Sequence, residues 1–151
     1  MTDLMIGSLE ICGFTFCKLT TLEEVQNYFG EKIRLEKLAS GFKVKLKRYY
    51  NISSDIYVYA FNFNNEGLLT DYSLIPVVPP TVIDRGNGEI PKYKLEVAKR
   101  WLRNMIPVEP QTLNENAIGY SFESVGYYAS VLKDSHYGIV GGNITVLFRK
   151  V

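Results

Sequence analysis

The pattern of apolar and polar positions is densest around one stretch. Residues 56–63 (Ile-Tyr-Val-Tyr-Ala-Phe-Asn-Phe) form an apolar and aromatic run. Asn64-Asn65-Glu66-Gly67 is rich in turn formers, and residues 68–75 are a second run of strand-favouring type. Two such runs around a short polar turn predict a β-hairpin. Strand side chains alternate with period two, which places Ile56, Val58 and Ala60 on one face and Tyr57, Tyr59, Phe61 and Phe63 on the other. A strand apolar on both faces belongs in the middle of a sheet, with something packed on each side or with broad aromatic rings half shielded. The expectation is a sheet organised around this hairpin, with at least one helix across it.

The rest of the chain supplies partners for that sheet. Residues 9–11 and 14–17 flank Cys12-Gly13, where glycine can take the positive φ of a two-residue turn. Thr20 with Glu23 and Thr21 with Glu24 each have capping-box spacing. Leu22, Val25 and Phe29 then recur at helical intervals and Gly30 stands as the C′ residue, so a helix is predicted over 22–29. Residues 42–47 alternate strictly, which turns Phe42, Val44 and Leu46 inward and Lys43, Lys45 and Lys47 outward. Pro76 to Pro80 should end the sheet, and 82–92 reads as a loop. Leu95, Ala98, Trp101, Leu102 and Met105 mark the apolar stripe of a second helix. Glu96 and Arg100 form an i,i+4 pair on its exposed side, Pro107 stops it, and Trp101 should face the sheet beside the central hairpin. Residues 119–122, 127–132 and 144–151 read as strands, with 133–142 connecting the last two, in an antiparallel meander that extends the same sheet. The predicted fold is α+β in a single domain over 1–151: mostly antiparallel β-sheet with two main α-helices packed on it.

Composition narrows the class. A chain of 151 residues can bury a sizeable core, and 46% hydrophobic with 22% charged residues is the balance of a globular protein. No run of about 18 uncharged apolar residues occurs, and no basic segment followed by an apolar one opens the chain, so neither a membrane span nor an export signal is expected and the predicted location is cytoplasmic. Cys12 and Cys17 lack the partners for a zinc ribbon or a disulfide framework and read as free thiols of a reducing compartment. Charge is segregated. Lys32, Arg34, Lys37, Lys43, Lys45, Lys47 and Arg48 crowd around the single acid Glu36, whereas 52–91 holds Asp55, Glu66, Asp71, Asp84 and Glu89 against Arg85. The basic stripe reads as the solvated face of an edge strand whose lysines discourage unwanted pairing. With Tyr49 and Tyr50 behind it, it also has the make-up of a phosphate-tracking surface with stacking platforms. A net charge of +1 disfavours a general nucleic-acid binder.

No motif carries recognisable catalysis, and no catalytic residue, metal ligand or cofactor site is assigned. His136 is the only histidine, so chemistry needing two imidazoles is ruled out. Asp134-Ser135-His136 has the residue types of a hydrolase triad, but neighbours in sequence do not form the relay, and the tripeptide reads as a hairpin connection. Cys12 or Cys17 could meet His136 only through the fold. Asp84-Arg85-Gly86-Asn87-Gly88-Glu89 lacks the Lys-Ser/Thr of a phosphate loop and reads as an exposed contact loop.

The order of signals resembles that of small bacterial immunity proteins, which accompany polymorphic or contact-dependent growth inhibition toxins. It runs through an N-terminal hairpin, a Thr21-Leu22-Glu23-Glu24-Val25 helix ending Tyr28-Phe29-Gly30, an aromatic hairpin ending Leu74-Ile75-Pro76, the helix around Ala98-Lys99-Arg100-Trp101-Leu102 and a closing meander. The resemblance implies a non-catalytic, intracellular protein that binds one cognate toxin domain and occludes its active site. Inhibitors of nuclease toxins are often strongly acidic, and this chain departs from that pattern. Tyr and Arg dominate binding hot spots, so Tyr49, Tyr50 and Arg85, with Asp84 and Glu89, are the expected contacts. The alternative is a small-ligand or nucleic-acid binding module using the 32–48 stripe.

Overall fold

The computed structural model describes residues 2–149, apart from the side chain of Tyr49. After a 3-10 turn at Leu4–Ile6 come β1 (Leu9–Ile11), β2 (Phe14–Phe16), helix α1 (Leu22–Phe29) and a second 3-10 turn at Gly30–Lys32. Four long strands follow, β3 (Ile33–Leu38), β4 (Gly41–Asn51), β5 (Ile56–Asn64) and β6 (Leu69–Pro76), then helix α2 (Glu89–Met105). The last group is β7 (Thr112–Asn114), β8 (Ala117–Ser121), β9 (Val125–Asp134), β10 (Gly138–Gly141) and β11 (Ile144–Phe148). β1 and β2 pair with each other, and the other nine strands form one antiparallel sheet in the order β3-β4-β5-β6-β11-β9-β8-β7, with β10 paired to β9. The fold is α+β, with strand the dominant structure and two α-helices.

Local chemistry accounts for the early elements. Cys12 at φ 52° and Gly13 at φ 81° make the left-handed turn that lets β1 and β2 pair tightly. Thr21 caps α1: its hydroxyl accepts from the Glu24 amide at 3.2 Å, and the Glu24 carboxylate accepts from the Thr21 amide at 3.2 Å. The Thr20–Glu23 box does not form, because the Thr20 hydroxyl is engaged by the Cys17 amide at 2.9 Å. The Leu22 amide donates to the Gly67 carbonyl and the Leu69 amide to the Thr20 carbonyl. The start of α1 is thereby fastened to the β5–β6 turn, and Val25 and Phe29 reach the core.

Several expectations are corrected by the sheet. In β5 the register shifts between Val58 and Ala60. The bulge resets the alternation, so Ile56, Val58, Phe61 and Phe63 are all buried, opposite Leu74 and Tyr72 of β6, while Tyr59 is exposed. One face of this strand is core, where strict alternation predicted two. β4 is not an edge strand: β3 covers it, and β3 is the edge. The C-terminal strands join the same sheet but not as a simple meander, since β11 inserts between β6 and β9. The expectation for that strand ran on to residue 151, whose last two positions lie outside the described residues. β10 stands within the stretch expected to be only a connection.

Helix α2 begins six residues earlier than its apolar stripe announced. Pro91 sits in its first turn, where a missing N–H costs nothing. Leu95, Val97, Ala98, Trp101 and Leu102 are buried, in one core with the inward residues of β5, β6, β9 and β11. Met105 is 39% exposed and does not belong to the stripe. Glu96 pairs with Lys99 at 3.6 Å instead of Arg100, and Arg100 reaches Asp55 of the β4–β5 loop at 3.7 Å. No helix among the described residues is long and apolar enough to cross a membrane.

Candidate functional site

The sheet face opposite the core is assembled by register. One row crosses the strands as Glu36, Lys43, Asn62, Asp71, Leu147, Gly126 and Ser121. The next runs Arg34, Lys45, Ala60, Ser73, Thr145, Tyr128, Gly119 and Thr112. On β4, β5, β6, β11, β9 and β8 each of these residues is one position from a core residue of its strand, so the pleat that buries Val44, Phe61, Tyr72, Val146 and Tyr127 turns them to the opposite face, though Ala60 itself is buried there.

The face is graded from charge to apolar surface. At the β3–β4 end, Arg34, Lys45, Leu46, Lys47 and Tyr59 line a hollow of about 250 Å³. Lys45 Nζ lies 5.3 Å and Lys43 Nζ 6.0 Å from the centre of the Tyr59 ring, close enough for the ring to attract both cations. Among the described residues none of Arg34, Lys43, Lys45 and Lys47 has a carboxylate within ion-pair distance. In the centre Asp71 accepts hydrogen bonds from Asn62 Nδ2 at 2.6 Å and Thr70 Oγ1 at 2.8 Å, so its charge is held within the sheet. Beyond it a groove of about 450 Å³ opens over β11, β9 and β8. Gly126 supplies no side chain there, leaving a trough beside Tyr128, which is 49% exposed, and Leu147, 54% exposed, whereas the space over Gly119 is taken by the Tyr128 ring, which a Cβ would meet at 3.1 Å. A Cβ on Gly126 would meet nothing closer than 3.5 Å. Arg149, hydrogen-bonded through its guanidinium to Ser121 Oγ, closes one end. Gln111 holds the neighbouring strand by accepting from the Ser121 amide at 2.8 Å and donating to its carbonyl at 3.2 Å.

The residues singled out from sequence fall in two places. Asp84 and Arg85 are exposed in the loop before α2, and Glu89 opens the helix. The Glu89 carboxylate accepts from the amides of Arg85 and Asn87, each at 3.1 Å. Its own backbone N–H, followed by those two amides, holds its pKa below the usual carboxylate value. Asp84 likewise turns back onto the Gly86 amide at 2.9 Å. Both acids are occupied in shaping the loop, which leaves Arg85 as its freest charge. Tyr50 is on β4, half-buried, its ring 6.4 Å from that of Phe29 and its exposed side beside Lys32, Lys47 and Arg48. The side chain of Tyr49 lies outside the described residues.

Tyr59, Tyr128, Leu147, Arg149 and the two glycines were not singled out. Glycine inside a strand is the one local signal that pointed to the groove, since it marks a place where something approaches the backbone. Asp134 accepts from the amides of His136 and Tyr137 at 2.7 and 2.9 Å, which makes the Asp134-Ser135-His136 stretch a turn between β9 and β10. Both cysteines are free thiols, Cys12 exposed and Cys17 half-buried. No group of three or more His, Cys, Asp or Glu side chains suited to a metal ion occurs among the described residues. Compared with known proteins, the chain matches no family model, no curated protein and no solved structure.

Proposed function

We propose that this protein is an immunity protein, which neutralises a cognate bacterial toxin by stoichiometric binding and occlusion of its active site, in the cytoplasm of the cell that makes both. The observation that supports the reading is the open sheet face. Tyr59, Tyr128 and Leu147 stand exposed on strands whose other side is locked into the core. A stiff surface with aromatic anchors binds a protein without a large ordering cost. Its breadth, eight strands, suits a macromolecule better than a small substrate.

The test is capture from the native cell with the tagged protein, followed by titration of what is recovered. A single protein partner, bound one to one at nanomolar affinity and toxic when expressed alone, is the expected result. Recovery of nucleic acid alone, or of no protein, would overturn it. The second reading, a nucleic-acid or small-ligand module, draws on the placement of Lys43 and Lys45 around Tyr59. It predicts affinity for any single-stranded oligonucleotide that falls steeply with salt.

A further inference from the structure

We infer that the open sheet face is the contact surface, and that it takes an acidic segment of a protein partner with one large apolar or aromatic side chain seated in the groove over β8, β9 and β11. This rests on the immunity reading and adds to it which surface binds and the chemistry of the partner.

Charge decides the partner's sign. The face carries Arg34, Lys43, Lys45, Lys47 and Arg149 against Glu36 and Asp71. Asp71 is engaged by Asn62 and Thr70. The whole chain is nearly neutral, with a formal net charge of +1, so this excess belongs to the face and is offset elsewhere. A surface of that kind attracts carboxylates and rejects basic partners. The acidic loop is less available to a basic partner, because Asp84 and Glu89 already accept from loop amides. The groove decides the rest. Its open floor is Gly126 and its walls are Tyr128, whose ring lies over Gly119, and Leu147, an apolar trough with room for a ring. Charged rim and apolar pocket on one rigid face is the usual composition of a protein interface, with an anchor side chain in the centre. Nucleic acid fits less well: the cations cluster on β3 and β4, and the trough toward β8 offers Arg149 as its one cation among the described residues.

The test uses the whole chain and a twelve-residue synthetic peptide with glutamates on both sides of a central phenylalanine, followed by amide NMR shifts. Shifts are expected on β4, β8, β9 and β11, with binding that weakens as salt rises. Lys43→Glu combined with Lys45→Glu should weaken it about tenfold or more. Gly126→Val fills the trough, so it should weaken binding by about tenfold while melting at or above the wild-type temperature, since valine suits a strand better than glycine. Shifts confined to residues 84–89, or wild-type binding by either variant, overturn the proposal. A twelve-residue thymidine oligonucleotide that occupies the face more tightly than the peptide also overturns it and assigns the face to nucleic acid. If these arms fail while a captured toxic partner binds both variants as it binds wild type, the immunity reading stands and only the face is wrong. If the peptide binds as expected and the native cell yields no protein partner, the immunity reading falls and the acidic-peptide site stands.

Discussion

Two buried tyrosines with different hydrogen bonding show how single residues weigh in this fold. The Tyr127 hydroxyl donates to the Leu4 carbonyl at 2.7 Å and ties the N-terminal turn to the sheet. The Tyr72 hydroxyl is buried with no hydrogen-bond partner among the described residues. Removing a satisfied buried donor costs about 0.5–1.5 kcal/mol, whereas removing an unsatisfied one relieves a desolvation penalty of about 1–3 kcal/mol. Tyr127→Phe should therefore destabilise by roughly 1 kcal/mol and Tyr72→Phe should be neutral or stabilising, a difference of sign that urea titration at neutral pH reads directly. Burial raises both phenol pKa values; at Tyr72 its neighbours Tyr127 and Cys17 add to that, and at Tyr127 Asp3 does. The folded state keeps the neutral phenols while the unfolded chain ionises near the ordinary tyrosine value. Titration of these phenols thus leaves stability unchanged below about pH 10 and lowers it as pH rises above that, by up to about 1.4 kcal/mol per pH unit for each tyrosine. Denaturation midpoints measured between pH 9 and 11 should fall for wild type and fall less for the Tyr72→Phe/Tyr127→Phe pair. Equal slopes would show that other groups govern the alkaline limb.

At the scale of elements, caps and close approaches decide boundaries. Helix α1 has eight residues, too short to persist alone, and depends on its capping box and on the core contacts of Val25 and Phe29. Thr21→Ala should cost about 1 kcal/mol by the loss of the cap. The loss should appear as faster amide exchange in the first turn of α1, with little change in β9. The start of α2 depends on a different feature. Gly88 takes φ 77°, and a Cβ there would lie 2.4 Å from the Cβ of Ile139 on β10. Both the left-handed backbone and the contact with the sheet disfavour any larger residue, so Gly88→Ala should destabilise by about 1–3 kcal/mol. A melting temperature within a degree of wild type would refute that account. Much at this scale was legible in the sequence. The first hairpin, the bounds of α1, and the β5–β6 hairpin follow from turn residues and caps that act over four or five positions. The bulge in β5 was not legible, because Tyr59 differs from its neighbours only in what lies across the strand.

For the whole molecule the decisive feature is the position of β11. It pairs with β6 on one side and β9 on the other, and among the described residues no other strand pairing joins the β3–β6 half of the sheet to the β7–β10 half. Ile144, Val146 and Phe148 on it are buried. Burying three such side chains contributes about 5–8 kcal/mol, comparable with the entire stability of a domain this size. A chain shortened to residue 143 should therefore lose cooperative unfolding and its near-ultraviolet circular dichroism, even though every earlier turn signal remains. The same placement builds the open face. Leu147 and Thr145 put the groove of β8 and β9 in the same cross-strand rows as Lys43 and Lys45 of β4, which lie about a hundred positions from them in sequence, with β5 and β6 between them in the sheet. The basic stripe itself was visible as alternating lysines, but its partner surface was not.

The sequence by itself determined what short-range physics can encode: an antiparallel α+β chain, the caps and turns of its early elements, the outward lysines of β4, and the apolar stripe of α2. Tertiary structure alone decided the strand order, the reset of alternation in β5, the earlier start of α2, and which side of the sheet stays open. Those features depend on pairings between distant strands and on the volume left by glycines in neighbouring ones. A local pattern states that a residue prefers burial or a strand, and only the assembled sheet determines what stands beside it.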